Sequence, residues 1–286
     1  MRQEISLLGA KEIREIATSL DLVPSKGLGQ NFVHDANTCE KIVRLAALKD
    51  SDRVVEIGPG LGSLTLALLR AGAAVTAVEI DKRLASRLPQ TLRDHGATDE
   101  SFEVIAKDAM QLRSEEIAEG SLLVANLPYN VSVPVILHIL SMARISRAVV
   151  MVQSEVATRL AAQPGSKEYG VPSAKVAWFA DAAIADRVSA KVFWPVPRVD
   201  SSLLTLRVHP PLSSEADREL TFKVIDTAFN QRRKMLRSSL ESLISQYLPN
   251  QSSEEVLESS GIKPTERAES IQIEGFLAIA KTLQKR

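Results

Sequence analysis

A strand-like run, Arg53-Val-Val-Glu-Ile57, ends in Gly58-Pro-Gly-Leu-Gly62 and passes directly into Ser63-Leu-Thr-Leu-Ala-Leu-Leu-Arg70. Strand, glycine turn and helix in that order commit the chain to an α/β fold, because the helix must pack back onto the sheet that the strand belongs to. Glycines at 58, 60 and 62 let the backbone approach a bound molecule closely. A phosphate-binding G-x-G-x-x-G turn needs its third glycine at position 63, where Ser63 stands, and Pro59 removes one N–H donor. A dinucleotide carrying a pyrophosphate is therefore disfavoured. An ordinary α/β crossover uses the same turn, so the turn alone names no ligand.

The strands that follow carry more information. Ala74 to Ile80 brings Glu79 to a strand end, where a carboxylate accepts both hydrogen bonds of a ribose diol; Asp81, two residues on, competes for that role. Phe102 to Ala106 runs into Lys107-Asp108-Ala109-Met110. Asp108 is placed either to accept from an adenine N6 amine, with Met110 as an apolar surface for the ring, or to cap a helix. The fourth run, Ser121 to Ala125, stops at Asn126-Leu127-Pro128-Tyr129. A carboxamide, a rigid turn and an aromatic ring together suit a flat, amine-bearing ring. Tyr129 stacks on its face, while the Asn126 carbonyl and a backbone carbonyl aimed by Pro128 accept from its exocyclic NH2. Each of these residues alone reads equally well as a strand end, a cap or a loop. In a parallel sheet, however, all these strand ends share one side, where ligands bind. Glu79, Asp108 and Asn126 together, after a glycine turn, make a site.

Around this centre, Glu4 to Leu20 and Ala36 to Leu48 have helical spacing, separated by the Gly-rich break Pro24 to Gly29. Gln30 and Asn31 beside it suit a backbone that closes over a ligand. Arg147 to Gln153 reads as a fifth strand, Ser154 to Ala162 as a helix and Gln163 to Gly170 as a loop. Ala182 to Ala190 and Ser201 to Val208 form an antiparallel hairpin-like pair closing the sheet. Between them the prolines of Phe193-Trp-Pro-Val-Pro-Arg-Val-Asp-Ser201 stiffen a loop presenting Phe193 and Trp194, either as core plugs or as the second face of a base-stacking slot. Beyond the linker 209–214 the pattern is helical only. The expected domains are 1–208, with 1–48 as a helical arm and closing segment, and 215–286. At 286 residues and 45% hydrophobic content the chain can fill both cores.

Formal net charge is zero, so a nucleic-acid partner has to be met by a local patch. Phe222 to Leu240 supplies one: Lys223, Arg232, Arg233, Lys234 and Arg237 stand against Asp226 alone. Read as one helix, it places Arg233 and Arg237 on a common face suited to RNA phosphates, or to plain solvent. No run of 18 apolar residues exists, and the charged N-terminus lacks an apolar signal core, so neither a membrane span nor secretion is expected. The single cysteine, Cys39, sits at a helix-interior position and fits a reducing cytoplasm. Four scattered histidines lack metal-ligand spacing, and no metal site is expected.

Gly29-Gln-Asn-Phe32, Glu56-Ile-Gly-Pro-Gly-Leu-Gly62, Asn126-Leu-Pro-Tyr129, Phe193-x-Pro-x-Pro-x-Val-Asp-Ser201 and Ala228-Phe-Asn-Gln-Arg-Arg-Lys-Met-Leu-Arg237 occur in this order over essentially the whole chain. Together they resemble the KsgA-type small-subunit rRNA adenine N6,N6-dimethyltransferases. The resemblance implies a Rossmann-like class I methyltransferase sheet, mostly parallel with an antiparallel hairpin at one edge, and a small all-helical C-terminal domain that binds rRNA. It implies S-adenosylmethionine as methyl donor. The implied substrate is two adjacent adenosines near the 3′ end of 16S rRNA, in the 30S subunit or its precursor, each methylated twice by a cytoplasmic monomer. Asn31, Val33, Gly58, Gly60, Glu79, Asp108, Ala109 and Asn126 would then hold the donor, Glu79 at the ribose and Asp108 at the adenine. Asn126, Leu127, Pro128 and Tyr129 would hold the target base, with Phe193 as its other wall. Lys26, Arg232, Arg233, Lys234 and Arg237 would contact RNA. Val33 stands where the family usually has Leu. Three rivals share parts of this pattern: a resistance-type 23S rRNA adenine dimethyltransferase, a DNA adenine methyltransferase, which more usually has Pro-Pro after its Asn or Asp, and an RNA-binding assembly factor with dispensable catalysis.

Overall fold

The computed structural model describes residues 4–22 and 30–285. Nine strands are found among them: β1 (Phe32–Val33), β2 (Arg53–Ile57), β3 (Ala74–Glu79), β4 (Phe102–Ala106), β5 (Ser121–Asn126), β6 (Ile145–Gln153), β7 (Ala180–Val188), β8 (Phe193–Trp194) and β9 (Ser201–Val208). Seven form one sheet in the order β4-β3-β2-β5-β6-β9-β7. β2 to β6 pair in parallel, and β9 returns antiparallel to β6 from Arg147↔Arg207 to Gln153↔Ser201. The hairpin-like pair does close one edge, with β9 inserted between β6 and β7. The chain order reverses between β2 and β5, and in such sheets that switch point opens a crevice at the strands' carboxyl ends.

The apolar runs become central strands because both faces are covered. Leu122 to Ala125 and Val149 to Val152 are buried, with the helix Ala36–Ala46 against their strands, as is nearly all of the helix Ser63–Arg70, which packs on β3. Gly62 closes the turn into this helix at φ 100°, where a Cβ would stand 2.9 Å from Leu88 Cδ1. This glycine serves helix packing, whereas Gly60, below, serves the site. β1 and β8 form a separate two-stranded ladder, Phe32↔Trp194 and Val33↔Phe193, with the Phe32 and Trp194 rings stacked at 6.2 Å.

Local chemistry moves several boundaries. The first helix is Ala10–Ser19 and not Glu4 to Leu20, because the Gly9 N–H donates to Glu12 Oε2 at 2.8 Å and caps it there. Residues 4–9 before it are not helical, and the Ser6 N–H donates to the His95 carbonyl at 3.1 Å. The helix Ala36–Ala46 starts on Asp35, which accepts from the Thr38 N–H, and stops where Ala47 turns left-handed at φ 46°. Cys39 is buried inside it, and burial pushes its thiol up to about 12.

The chain divides into two compact units. One takes the described residues up to Ala157 together with Ala183–Val208; the other takes Thr158–Ala182 and the chain from His209 onward. The units part after Val208, but 158–182, expected within the first domain, belongs to the second unit, where it packs among the C-terminal helices. Tyr169 Oη donates to the Ile271 carbonyl at 2.8 Å, the Gly165 N–H to the Glu269 carbonyl, and Trp178 meets Phe222 edge-on. His209, expected in the linker, donates its N–H to the Phe179 carbonyl of the same unit. Among the described residues no helix is long and apolar enough to cross a membrane.

Candidate active site

The strands β2, β3 and β5 deliver their last residues, and the segment after β4 its Lys107 to Met110, to one cavity of roughly 200 Å³. The ladder continues past the strand ends and fixes each tip. The Gly58 N–H donates to the Val78 carbonyl, Lys107 to Glu79 and Leu127 to Met151, at 2.9 to 3.0 Å. Asn31, Val33, Gly58, Gly60, Glu79, Asp108, Ala109 and Asn126 all line this cavity, as do Leu127, Pro128 and Tyr129. Gly60, at φ 57°, leaves room for Phe32, whose ring a Cβ would meet at 2.9 Å. The β1 segment can therefore lie close over the turn only because residue 60 has no side chain.

The carboxylates divide the work by environment. Glu79 is buried, its Oε2 accepting the Gly60 N–H at 3.1 Å and its Oε1 the Asp81 N–H at 3.0 Å. Each oxygen keeps a lone pair for a hydroxyl. Desolvation raises the Glu79 pKa against these backbone bonds. Asp81 caps the helix Lys82–Asp94 instead of lining the cavity. It accepts from the Arg83 N–H and guanidinium and from Gln30 Nε2, and the Arg83 side chain foremost holds its carboxyl below the usual range. Asp108 caps a turn and still leaves one oxygen open. Oδ1 accepts the Met110 N–H at 2.9 Å as a cap, and Oδ2 has no partner among the described residues. Beside it Met110 is 41% exposed and Ile80 51%, both on the cavity, so apolar walls flank a free carboxylate oxygen. A ribose acceptor, an amine acceptor and apolar walls for a flat ring are the donor set that an adenosine-bearing cofactor requires, and these residues fit it.

One residue with no role assigned from the sequence stands out. Glu56 lines the cavity, is buried, and its Oε2 lacks a hydrogen-bond partner among the described residues. Burial pushes the Glu56 carboxyl up to about 8; the Thr65 hydroxyl works against this and the Glu79 charge adds to it. An acid set between Val55 and Ile57 inside a strand was the available signal.

At the other end, Asn126 Nδ2 donates to the Asn31 carbonyl at 3.2 Å. Since that partner is a carbonyl oxygen, the amide nitrogen must face it, and Oδ1 remains as the acceptor. The Leu127 carbonyl accepts no hydrogen bond among the described residues. Tyr129 Oη sits 2.8 Å from Ser201 Oγ, and burial raises the pKa of its hydroxyl.

Two expectations need correction. Phe193 is not a wall of the cavity: pairing of β8 with β1 carries its ring into the core, where it is 0% exposed. Trp194 turns onto Phe32 in the same way. The basic segment is not one helix. The helix Glu215–Asn230 ends, 231–235 forms a turn, and Leu236–Ser239 starts anew, so Arg233 and Arg237 do not share a helical face. Within it Arg232 is tied to Glu269 at 3.0 Å and to the Lys167 carbonyl at 2.6 Å, and Arg237 pairs with Glu254. The side chains of Arg233 and Lys234 are exposed with no partner among the described residues. Lys26 lies outside the described residues.

Comparison with known proteins converges on one group. The family model of ribosomal RNA adenine dimethylases matches residues 25–285. Ribosomal RNA small subunit methyltransferase A of Corynebacterium jeikeium is 48% identical, the match covering 98% of this chain and 97% of that one. The protein of the same name from Kineococcus radiotolerans is 50% identical over 98% and 93%. Among solved structures, a dimethyladenosine transferase from Plasmodium falciparum superposes with a TM-score of 0.71 at 25% identity, covering 86% of this chain and 94% of that one. The 23S rRNA methyltransferase ErmE superposes at 0.63 and 26% identity, covering 89% and 100%.

Proposed function

The chain belongs to the ribosomal RNA adenine dimethylase family, and from that premise we propose that it dimethylates N6 of two adjacent adenosines near the 3′ end of small-subunit rRNA, in the 30S particle or its precursor. It is an S-adenosylmethionine-dependent rRNA adenine dimethyltransferase. The further reading, of a cytoplasmic monomer that needs no metal, belongs to the proposal. Relatives at 48–50% identity carry the small-subunit name, whereas the 23S enzyme stands at 26%, which favours the small subunit over the resistance-type rival.

S-adenosylmethionine supplies, when bound, a sulfonium-activated methyl group that needs no further activation by the protein. The chain's own task is then alignment. Glu79 and Asp108 hold the donor's ribose and adenine at the tips of β3 and β4. Asn126 Oδ1 and the Leu127 carbonyl accept from the target amine, draw N6 toward tetrahedral geometry and stabilise the positive charge that develops there. Positioning of this kind contributes roughly 7–11 kcal/mol in favourable cases. Tyr129 stacks on the extruded base, a contact worth about 1–3 kcal/mol. The observation that carries the reading is the Asn126–Asn31 hydrogen bond, because it leaves the amide oxygen as the group able to accept.

The experiment is partition of tritium from labelled S-adenosylmethionine among immature 30S particles, naked 16S rRNA, 23S rRNA and DNA. Label is expected in small-subunit rRNA; label confined to 23S rRNA or DNA would move the assignment to a rival.

Two further outcomes are expected. Ser201→Ala and Tyr129→Phe each remove one partner of the same hydrogen bond, so each should slow methyl transfer by about three- to tenfold. The double variant should be no slower than the worse single one, since each acts through the other. Arg233→Ala and Lys234→Ala should weaken rRNA binding and lower its salt dependence by about one counterion each, as read from binding isotherms at several salt concentrations. Arg232→Ala should instead lower the thermal stability of the C-terminal unit, because its guanidinium is already held by Glu269 and Lys167.

A further inference from the structure

The loop between β8 and β9 displays residues other than the aromatics its prolines were expected to present. With Phe193 and Trp194 turned inward, Val196 is 63% exposed and Val199 47% exposed, with the exposed Arg198 between them. The Arg198 guanidinium makes no ion pair or hydrogen bond among the described residues, unlike Arg232 and Arg237. The loop is nevertheless firmly anchored. Asp200 Oδ1 accepts the Ala190 N–H at 2.9 Å, the Asp200 carbonyl accepts the Ser154 N–H at 3.0 Å, and Ser201 Oγ meets Tyr129 Oη at 2.8 Å. The last contact joins the loop to the ring assigned to the target base, and Val131, 37% exposed, continues apolar surface along the cavity rim.

We propose that the Pro195–Asp200 loop receives the rRNA strand flanking the target adenosine, with Arg198 on a backbone phosphate and Val196 and Val199 against the neighbouring nucleotide. The proposal rests on the adenine reading of the Asn126–Tyr129 end of the cavity. An unpaired guanidinium between two apolar side chains matches a single strand, which alternates phosphate charge with exposed base and sugar faces. A protein partner would be met by the same valines but would not lend the contact the salt dependence of released counterions.

The test uses the full-length enzyme with 30S particles, measuring steady-state methyl transfer at several salt concentrations and S-adenosylmethionine affinity by calorimetry. Arg198→Ala should raise the half-saturating 30S concentration by about fivefold and lower the salt slope by about one counterion. Cofactor affinity should not change, and Arg198→Lys should largely restore both RNA terms. Val199→Ser should raise half-saturation with the slope unaltered. Unchanged half-saturation and slope in Arg198→Ala, or a loss that appears equally in cofactor affinity, overturns the proposal. Absence of methylation by the wild-type protein would instead strike the adenine reading itself.

Discussion

Asn126→Ala is expected to lower single-turnover methyl transfer by about 100- to 1000-fold, the usual cost of deleting one preorganised acceptor or donor aimed at a developing charge. S-adenosylmethionine should still bind within about threefold of wild type, because the ribose and adenine acceptors, Glu79 and Asp108, lie at the ends of other strands. The variant also removes the Asn126 donor from the Asn31 carbonyl, so a modest loosening of the β1 segment is included in that allowance. Asn126→Asp is the sharper companion. A carboxylate cannot donate to Asn31, and it places a like charge against a carbonyl oxygen, so both closure and transfer should suffer. Near-normal turnover by Asn126→Ala would remove the amide from the mechanism.

Glu56 yields the second large effect, on stability. Its carboxyl keeps its proton up to about pH 8 in the folded protein, against an ordinary value of 4.5. Between those values the unfolded chain has lost the proton and the folded chain has not. Stability therefore falls as pH rises through this window, by about 1.4 kcal/mol per pH unit for this one group, and levels off above about pH 8. Glu56→Gln keeps the shape of the protonated acid and carries no titratable proton. Its stability should match wild type near pH 5 and exceed it by roughly 3–5 kcal/mol at pH 8, as measured by urea unfolding without cofactor. Parallel curves for the two proteins across that range would show that Glu56 is ionised in the folded state.

The fold and the residues that share the cavity were legible because they depend on strand ends. Runs such as Leu122 to Ala125 are apolar for their full length, so they must be central strands, and parallel strands bring Glu79, Asp108 and Asn126 to one rim whatever the loops do. What escaped depended on pairings between distant segments. Nothing near Phe193 announces that it will pair with Val33, yet that pairing hides its ring. The stretch 158–182 joins the C-terminal unit through Tyr169 and Gly165, contacts with partners about a hundred residues away. The turn at 231–235 is a case of local preference misread: Gln231 to Met235 have ordinary helix formers, but the Leu236 N–H goes to the Glu266 carbonyl and the helix ends. Asp108 shows the converse. Cap and ligand acceptor looked like alternatives, and one carboxylate has an oxygen for each.

The division of labour among strand tips is tested most directly by calorimetric titration of S-adenosylmethionine into Asp108→Asn protein. The amide keeps the cap to Met110 through its oxygen but turns an amine donor toward the adenine amine in place of the free carboxylate oxygen. Loss of one charge-assisted hydrogen bond predicts affinity at least about tenfold weaker than wild type. Affinity equal to that of the wild-type protein would mean that the donor's base is held elsewhere, and the arrangement of the rim argued above would be wrong.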